Sequence, residues 1–365
     1  MKRSLTPLCL LLAACGAEPE SPDSAEPAAC AAPTGPGTEH RATITADETW
    51  TAAASPHLVP TSLDIRATVT LEPCAVVRVA EASTITVGDS VTPGRIVALG
   101  GDGAILIESA SATEAFGGLT VLNGQLDFDA VTVLRGGESG AAIDVRGPDD
   151  GSVSPQLRLR RTQIIDAAGS GIRLQRGAGF TTDSADLTII GAGTAMRPEE
   201  GHPIDIDPPG IGTVPRGEYV GNRYDTIAVR TPWPRVRVDE AFPNRGVPYR
   251  MAAPFLMYDP DGAALTLTIE PGVTMLFDRL DDSGGAGLRL GSSADGSTVR
   301  VVADGTAEAP IELRSGAQAP QSGDWSGTRP SRTRAARPKR AATAAGRRRM
   351  SAVSSSSGGR PPRLS

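Results

Sequence analysis

Aromatic residues make up only 4% of this 365-residue chain, and it has 3 histidines and 4 cysteines. The histidines (His40, His57 and His202) are scattered along the sequence, so no metal-ligand spacing exists. Neither Gly-x-Ser-x-Gly nor a P-loop occurs, which removes the usual signatures of an esterase nucleophile and a phosphate cradle. The apolar run near the start, Leu5 to Leu12, is too short for a permanent transmembrane helix. Almost no window shows apolar residues at helical spacing between caps. Acidic residues are missing from the last 38 positions, which hold 11 Lys or Arg. The first 327 residues therefore carry 25 basic against 42 acidic side chains, and an acidic body argues against nucleic-acid binding.

What is plentiful is Gly (42), Pro (30) and β-branched residues, a composition suited to short strands and tight turns. From Ala42 onward the chain alternates: ATITADETW, VTLEPCAVVRV, TITVG, RIVAL, AILIES, LTVL, LDFDAVTV, AIDV, LRLRRTQII, GIRL and DLTII. Each segment is bounded by Gly, Asn, Asp or Ser. Short strands at such regularity mean a sandwich, a barrel or a stacked solenoid.

A long-range repeat selects the solenoid. Ala264 to Trp325 is a second copy of Val69 to Leu119. Glu270-Pro271 matches Glu72-Pro73, and Gly272 faces Cys74. Ala303 and Gly305 match Ala98 and Gly101; Pro310 to Ser315 matches Ala104 to Ser109; Trp325 falls where Phe116 is. Pro248 to Met251 echoes Pro56 to Val59, and Trp233 echoes Trp50. The segments come in triplets with a step of about 20 to 35 residues, as in one coil of a parallel β-helix. No Asn-Gly hairpin signal separates neighbours. The expected fold is all-β, a right-handed parallel β-helix over 42–327, with a duplicated unit at about 49–119 and 233–327. Leu126, Phe128, Val131, Leu157, Leu159, Ile172, Leu174, Leu187 and Ile189 point into its core. Pro203 to Ile206 and Tyr224 to Val229 are expected strands, with Gly221-Asn222 at a turn.

The LTIEPGVTMLF, ADGTAEAPIELRS and GDW segments resemble the right-handed parallel β-helix surface lipoproteins of high-GC Gram-negative bacteria. So do the segments from HPIDIDP to YVGNRYDTIAV. That resemblance spans about Thr49 to Gly327 and implies a pectate-lyase-like fold. It implies little about activity, because fold does not fix function.

The start fits an exported protein. Lys2 and Arg3 precede the apolar run, which ends Leu12-Ala13-Ala14-Cys15. This resembles the lipobox of bacterial lipoproteins and implies removal of residues 1–14 and lipidation of Cys15. Several acyl chains then anchor firmly, at about 0.8 kcal/mol per buried CH₂. The next residue is Gly16 rather than Asp, which points to the outer membrane or cell surface. Residues 15–41, rich in Pro, Ala, Ser and acids, are expected to be a disordered tether. Cys30 and Cys74 either form a disulfide, which export permits, or Cys74 is a free buried thiol.

After Gly327 the alternation stops and a basic segment (328–365) follows, unlike the coil that follows Phe116 in the first copy. Three readings fit: a tail for an anionic partner, a plain solvated tail, or the product of a frame shift in a GC-rich gene. The last matches its Arg, Ala, Pro, Gly and Ser composition.

Several acidic groups invite a functional reading. Asp127 and Asp129 flank Phe128 on one face, but Arg158 and Arg160 repeat the spacing one coil later, which predicts an Asp–Arg ladder. Asp205 and Asp207 share a face beside His202, near Glu199 and Glu200, where long loops would form a cleft. They are the candidate catalytic pair, and clustered carboxylates are also Ca²⁺-binding chemistry. A solvated acidic loop is the plainer account. Asp281-Asp282 and Asp149-Asp150-Gly151 have turn composition. Two functions follow as expectations. One is a non-catalytic surface scaffold for adhesion or contact with glycan and envelope. The other is a lyase or hydrolase of acidic polysaccharide.

Overall fold

The structure, a computed structural model, describes residues 30–101, 103–147, 155–195, 200–230, 235–279, 286–292, 296–325 and 350–352. Outside the described residues lie the signal segment with Cys15, the tether up to 29, Asp149 to Gly151, Glu199, Trp233, Asp281 and Asp282. So does the basic tail at 328–349 and 353–365.

The chain winds through strands in sets of three. β1 (Thr38–Glu39) and β2 (Glu48–Trp50) open it. β3 (His57–Val59), β4 (Leu63–Ile65) and β5 (Thr68–Leu71) follow, then β6 (Val76–Val79), β7 (Thr84–Val87) and β8 (Gly94–Leu99). Next come β9 (Ile105–Ser109), β10 (Gly118–Val121), β11 (Gly124–Asp129), β12 (Val131–Leu134), β13 (Ala141–Arg146) and β14 (Gln156–Arg160). The middle holds β15 (Gln163–Ile165), β16 (Ser170–Gln175), β17 (Gly179–Phe180), β18 (Leu187–Ile190) and β19 (Ile204–Ile206). A 3₁₀ turn at Ile211–Thr213 precedes β20 (Gly217–Glu218), β21 (Ile227–Val229), β22 (Glu240–Phe242), β23 (Tyr249–Met251), β24 (Phe255–Met257) and β25 (Ala264–Ile269). β26 (Thr274–Phe277), β27 (Leu288–Leu290), β28 (Thr298–Ala303), β29 (Glu312–Ser315) and β30 (Met350–Ala352) complete the described strands.

Each strand pairs with the strand one turn of the coil away. One sheet runs β1-β3-β6-β9-β12-β15-β18-β20 and a second β4-β7-β10-β13-β16-β19-β21-β23-β26-β29. A third runs β2-β5-β8-β11-β14-β17. The order β22-β25-β28 and the pair β24-β27 make two shorter sheets. All pairings among β1 to β29 are parallel. The architecture is an all-β parallel β-helix solenoid.

Alternation sets which side chains enter the core. Leu126, Phe128, Leu157, Leu159, Ile172, Leu174, Leu187 and Ile189 are each buried, and each stabilises the stack by about 1.5–3 kcal/mol. The in-register stacking Leu126↔Leu157 and Phe128↔Leu159 fills the narrow interior one layer at a time. Corners between strands use residues with positive φ, such as Ala130 (57°) between β11 and β12 and Arg161 (44°) between β14 and β15. Order begins earlier than the 42 boundary suggests, because β1 already pairs with β3 and Cys30 is disulfide-bonded to Cys74.

The pairing scheme of β1 to β9 recurs in β21 to β29. The sets β1-β3-β6-β9, β2-β5-β8 and β4-β7 correspond to β21-β23-β26-β29, β22-β25-β28 and β24-β27. Details recur as well. Ile44 bridges Ile65, and Val236 bridges Met257. Thr68 N donates to Asp47 Oδ1 at 2.8 Å, and Thr266 N to Asp239 Oδ1 at 2.7 Å. The Cys74–Gly272 equivalence has a backbone reason: both sit at a left-handed turn, with φ of 65° and 79°.

Candidate functional site

Asp205 sits on β19, between β16 of the preceding coil and β21 of the following one. Its neighbours Ile204 and Ile206 point inward, which sends the Asp205 side chain to the outside of the sheet. It is nevertheless only 1% exposed, because the adjacent coils close over it. Ser170 Oγ donates to Asp205 Oδ2 at 2.8 Å. Arg230 Nε lies 3.0 Å from Oδ1, and Arg173 Nε 3.7 Å from Oδ2. The carboxylate is neutralised from both sides, so it is not a solvated acidic loop.

Asp207 lies on the same side, as its two-residue spacing predicts. Both acids line one cleft of about 380 Å³, with Arg173, Arg176 and Arg230. Burial pushes the Asp207 carboxyl up to about 6, against a hydrogen bond from the Arg176 backbone N–H (2.7 Å) that favours the charged form. His202 belongs to the scaffold behind this cleft. It is 1% exposed, its Nδ1 lies 2.8 Å from Thr226 Oγ1, and its ring stacks on Tyr224 with centroids 4.9 Å apart. Burial pulls it down to about 4, so it is neutral at pH 7. Glu200 lies 3.9 Å from Arg173.

Chemically, the cleft offers one acid whose pKa burial raises to about 6 and one that faces two guanidinium groups. Separated carboxyl environments are the pattern of acid–base pairs. A Ca²⁺ site needs several oxygens free to turn toward the ion. Asp205 is committed to Ser170, Arg230 and Arg173, and among the described residues no group of three His, Cys, Asp or Glu is placed to hold a metal.

Asp127 and Asp129 stack on Arg158 and Arg160 in register, as the spacing predicts. Arg158 Nε also binds Asp183 at 2.6 Å, and its Nη1 binds Asp127. Arg95 Nη2 reaches Asp127 from the other side at 3.1 Å. Asp129 accepts from Arg160 and, at 2.8 Å, from Arg161. Burial works to raise the pKa of Asp129, but the hydrogen bonds from Arg161 and Arg160 outweigh it and hold the carboxyl below the usual range. These groups tie coil to coil.

One cluster escaped the sequence reading. His40 and His57 are not scattered in space: His57 Nε2 donates to Thr51 O at 3.0 Å, which leaves His57 Nδ1 to accept from His40 Nε2 at 3.1 Å. Both rings stack on Trp50, whose Nε1 donates to Glu48 Oε1 at 2.7 Å. Burial lowers the pKa of both histidines. The signal available in the sequence was the coil offset, which stacks Thr38 on His57 and so brings His40 alongside.

No family model matches the chain, and no curated protein or solved structure matches it either. Its chemistry is read from its own geometry.

Proposed function

We propose that the chain is an exported, lipid-anchored scaffold of the outer membrane or cell surface. Its β-helical wall displays loops for adhesion or for contact with glycan and envelope. The observation that carries this reading is the use made of outward-facing charge. Asp127, Asp129, Asp144 and Asp205 are each engaged by arginines of their own or a neighbouring coil. Side chains committed to holding coils together are not free to turn over a substrate. The Cys30–Cys74 disulfide supports an oxidising compartment, and the Leu12-Ala13-Ala14-Cys15 sequence supports anchoring through Cys15. The test is fractionation. The wild-type chain is expected in the outer-membrane fraction, and Cys15→Ala in the soluble exported fraction. A Cys15→Ala protein that still sediments with membranes contradicts the anchor.

A second reading is supported by one observation. Asp207 titrates near 6 in a cleft it shares with Asp205 and three arginines, which suits a lyase or hydrolase of acidic polysaccharide. Ca²⁺-dependent turnover of polygalacturonate or a related glycan would establish it.

A further inference from the structure

A second cleft, of about 460 Å³, runs along the outer wall where β4, β7 and β10 pass into β5, β8 and β11. Thr68, Arg95, Gln125 and Gln156 line it, one from each of β5, β8, β11 and β14. Each precedes a buried core residue (Val69, Ile96, Leu126 and Leu157), so each points outward. Register stacks them. Thr68 pairs Arg95, Arg95 pairs Gln125, and Leu126 next to Gln125 pairs Leu157 next to Gln156. At a coil step of about 4.8 Å the row is about 14 Å long. Gly94 and Gly124, paired at the floor, carry no side chain to fill it.

The polar groups here are left open, unlike the charges of the Asp–Arg ladder beside them. Among the described residues the side chains of Asn123 and Gln125, both in the cleft, have no hydrogen-bond partner. No carboxylate is among the described residues that line it. Arg95 brings the one charge of that lining, and its Nη2 meets Asp127 Oδ2 at 3.1 Å. The cleft therefore presents amides and a hydroxyl with no net charge. The duplicated unit keeps the outward pair while the core beneath it changes. Thr266 pairs Arg300 as Thr68 pairs Arg95, although Leu267 and Val301 stand where Val69 and Ile96 are. Packing does not dictate side chains on an exposed face, so a pair kept there in both copies points to a shared contact.

We infer that this cleft binds a neutral, linear polysaccharide lying along the solenoid axis, with one sugar to each coil. A primary amide both donates and accepts, as a sugar hydroxyl does, so Asn123, Gln125 and Gln156 match a hydroxyl-rich chain. The coil step is close to the advance of one sugar in a linear pyranose chain. Arg95, neutralised by Asp127, offers no net charge to a polymer of carboxylates or phosphates. An extended peptide finds no strand to join, because β5, β8, β11 and β14 are each paired on both sides. The inference rests on the scaffold function and gives its glycan contact a place on the wall itself.

The test is affinity electrophoresis of the full chain, in a non-ionic detergent, through native gels containing glucomannan, galactan or mixed-linkage β-glucan, with polygalacturonate as the acidic counterpart. The expected result is retardation that grows with the concentration of at least one neutral polymer and is absent with polygalacturonate. It is lost in the double variant Gln125→Ala, Gln156→Ala, whose far-UV CD spectrum is unchanged. Both glutamines lie outside the core, so the fold does not depend on them. A parent chain retarded by none of the neutral polymers overturns the inference, and that measurement needs no variant to fold. Retardation by polygalacturonate alone overturns it and moves the glycan contact to the Asp205–Asp207 cleft. Retardation that survives the double variant places the contact elsewhere and overturns it equally. Fractionation, which tests the anchored scaffold, is unaffected by these outcomes, so the two fail separately.

Discussion

Arg230 Nε lies 3.0 Å from Asp205 Oδ1 across a coil boundary, and the carboxylate it meets is 1% exposed. Removing one partner of a buried pair leaves a charge with no solvent to take it up. Arg230→Ala is expected to cost about 2–4 kcal/mol, the lower part of the usual range because Ser170 and Arg173 still face Asp205. Asp205→Asn is expected to cost less. It removes the buried charge and leaves two arginine side chains that are each about a quarter exposed. Urea unfolding of both variants checks the order. Equal losses, or the reverse order, would mean that the pair is not what holds this wall.

Asp207 carries an opposite signature. Its folded pKa, about 6, is above the ordinary Asp value of 3.8, so between those values the folded chain binds more protons than the unfolded one. Its contribution is lost as pH rises through 6, and the full cost of the buried charge is present at pH 8. Asp207→Asn keeps an acceptor for the Arg176 N–H and removes that cost. It should stabilise the protein by on the order of 2–3 kcal/mol at pH 8 and by little at pH 4. Melts at the two pH values decide it; an equal effect at both would show that Asp207 is not buried as a charge.

The histidines respond in the other direction. The folded pKa values of His40 and His57 lie below 6.5, and that of His202 is about 4. Below pH 6.5 the unfolded chain takes up protons that the folded chain refuses, so stability falls as pH drops from 6.5 toward 4. His202→Gln retains a polar partner for Thr226 and should flatten this acid limb. An unchanged pH profile in His202→Gln would place the proton uptake at the His40–His57 pair instead.

These elements differ in how far the sequence revealed them. The Asp127/Asp129 to Arg158/Arg160 ladder was legible because two-residue spacing fixes the face and in-register stacking fixes the partner. The Glu72-Pro73 to Glu270-Pro271 match likewise located a unit whose pairings recur strand for strand. The Asp205–Asp207 cleft was legible as a place, since two-residue spacing puts Asp205 of β19 and Asp207 just after it on one side. Its electrostatics were not, because Arg173 and Arg230 reach Asp205 from different coils. Longer loops there break the regular step, and Tyr224 to Val229 shortens to Ile227–Val229. The His40–His57–Trp50 stack was invisible because it depends on where the first short strand pairs, and a two-residue strand has no periodicity to read.

Cys30 and Cys74 close a loop of 44 residues' separation, linking the segment before β1 to the turn between β5 and β6. Constraining the unfolded chain over such a loop is worth at most about 4 kcal/mol. Cys30→Ser should lower stability by a large part of that and expose one free thiol. Thiol titration of the unreduced, exported protein should find none at Cys30 or Cys74 in the parent; a titratable thiol at either position would break the link.

On the scaffold function proposed above, Asp205 binds coils together and cleaves no glycan. The most direct test is turnover of polygalacturonate and related acidic polysaccharides, with and without Ca²⁺, by the parent and by Asp205→Asn. The expected result is no unsaturated or reducing-end product from either protein, together with a lowered unfolding midpoint in the variant. Ca²⁺-dependent product from the parent that disappears in Asp205→Asn, with the unfolding midpoint unchanged, would contradict it and make the cleft an active site.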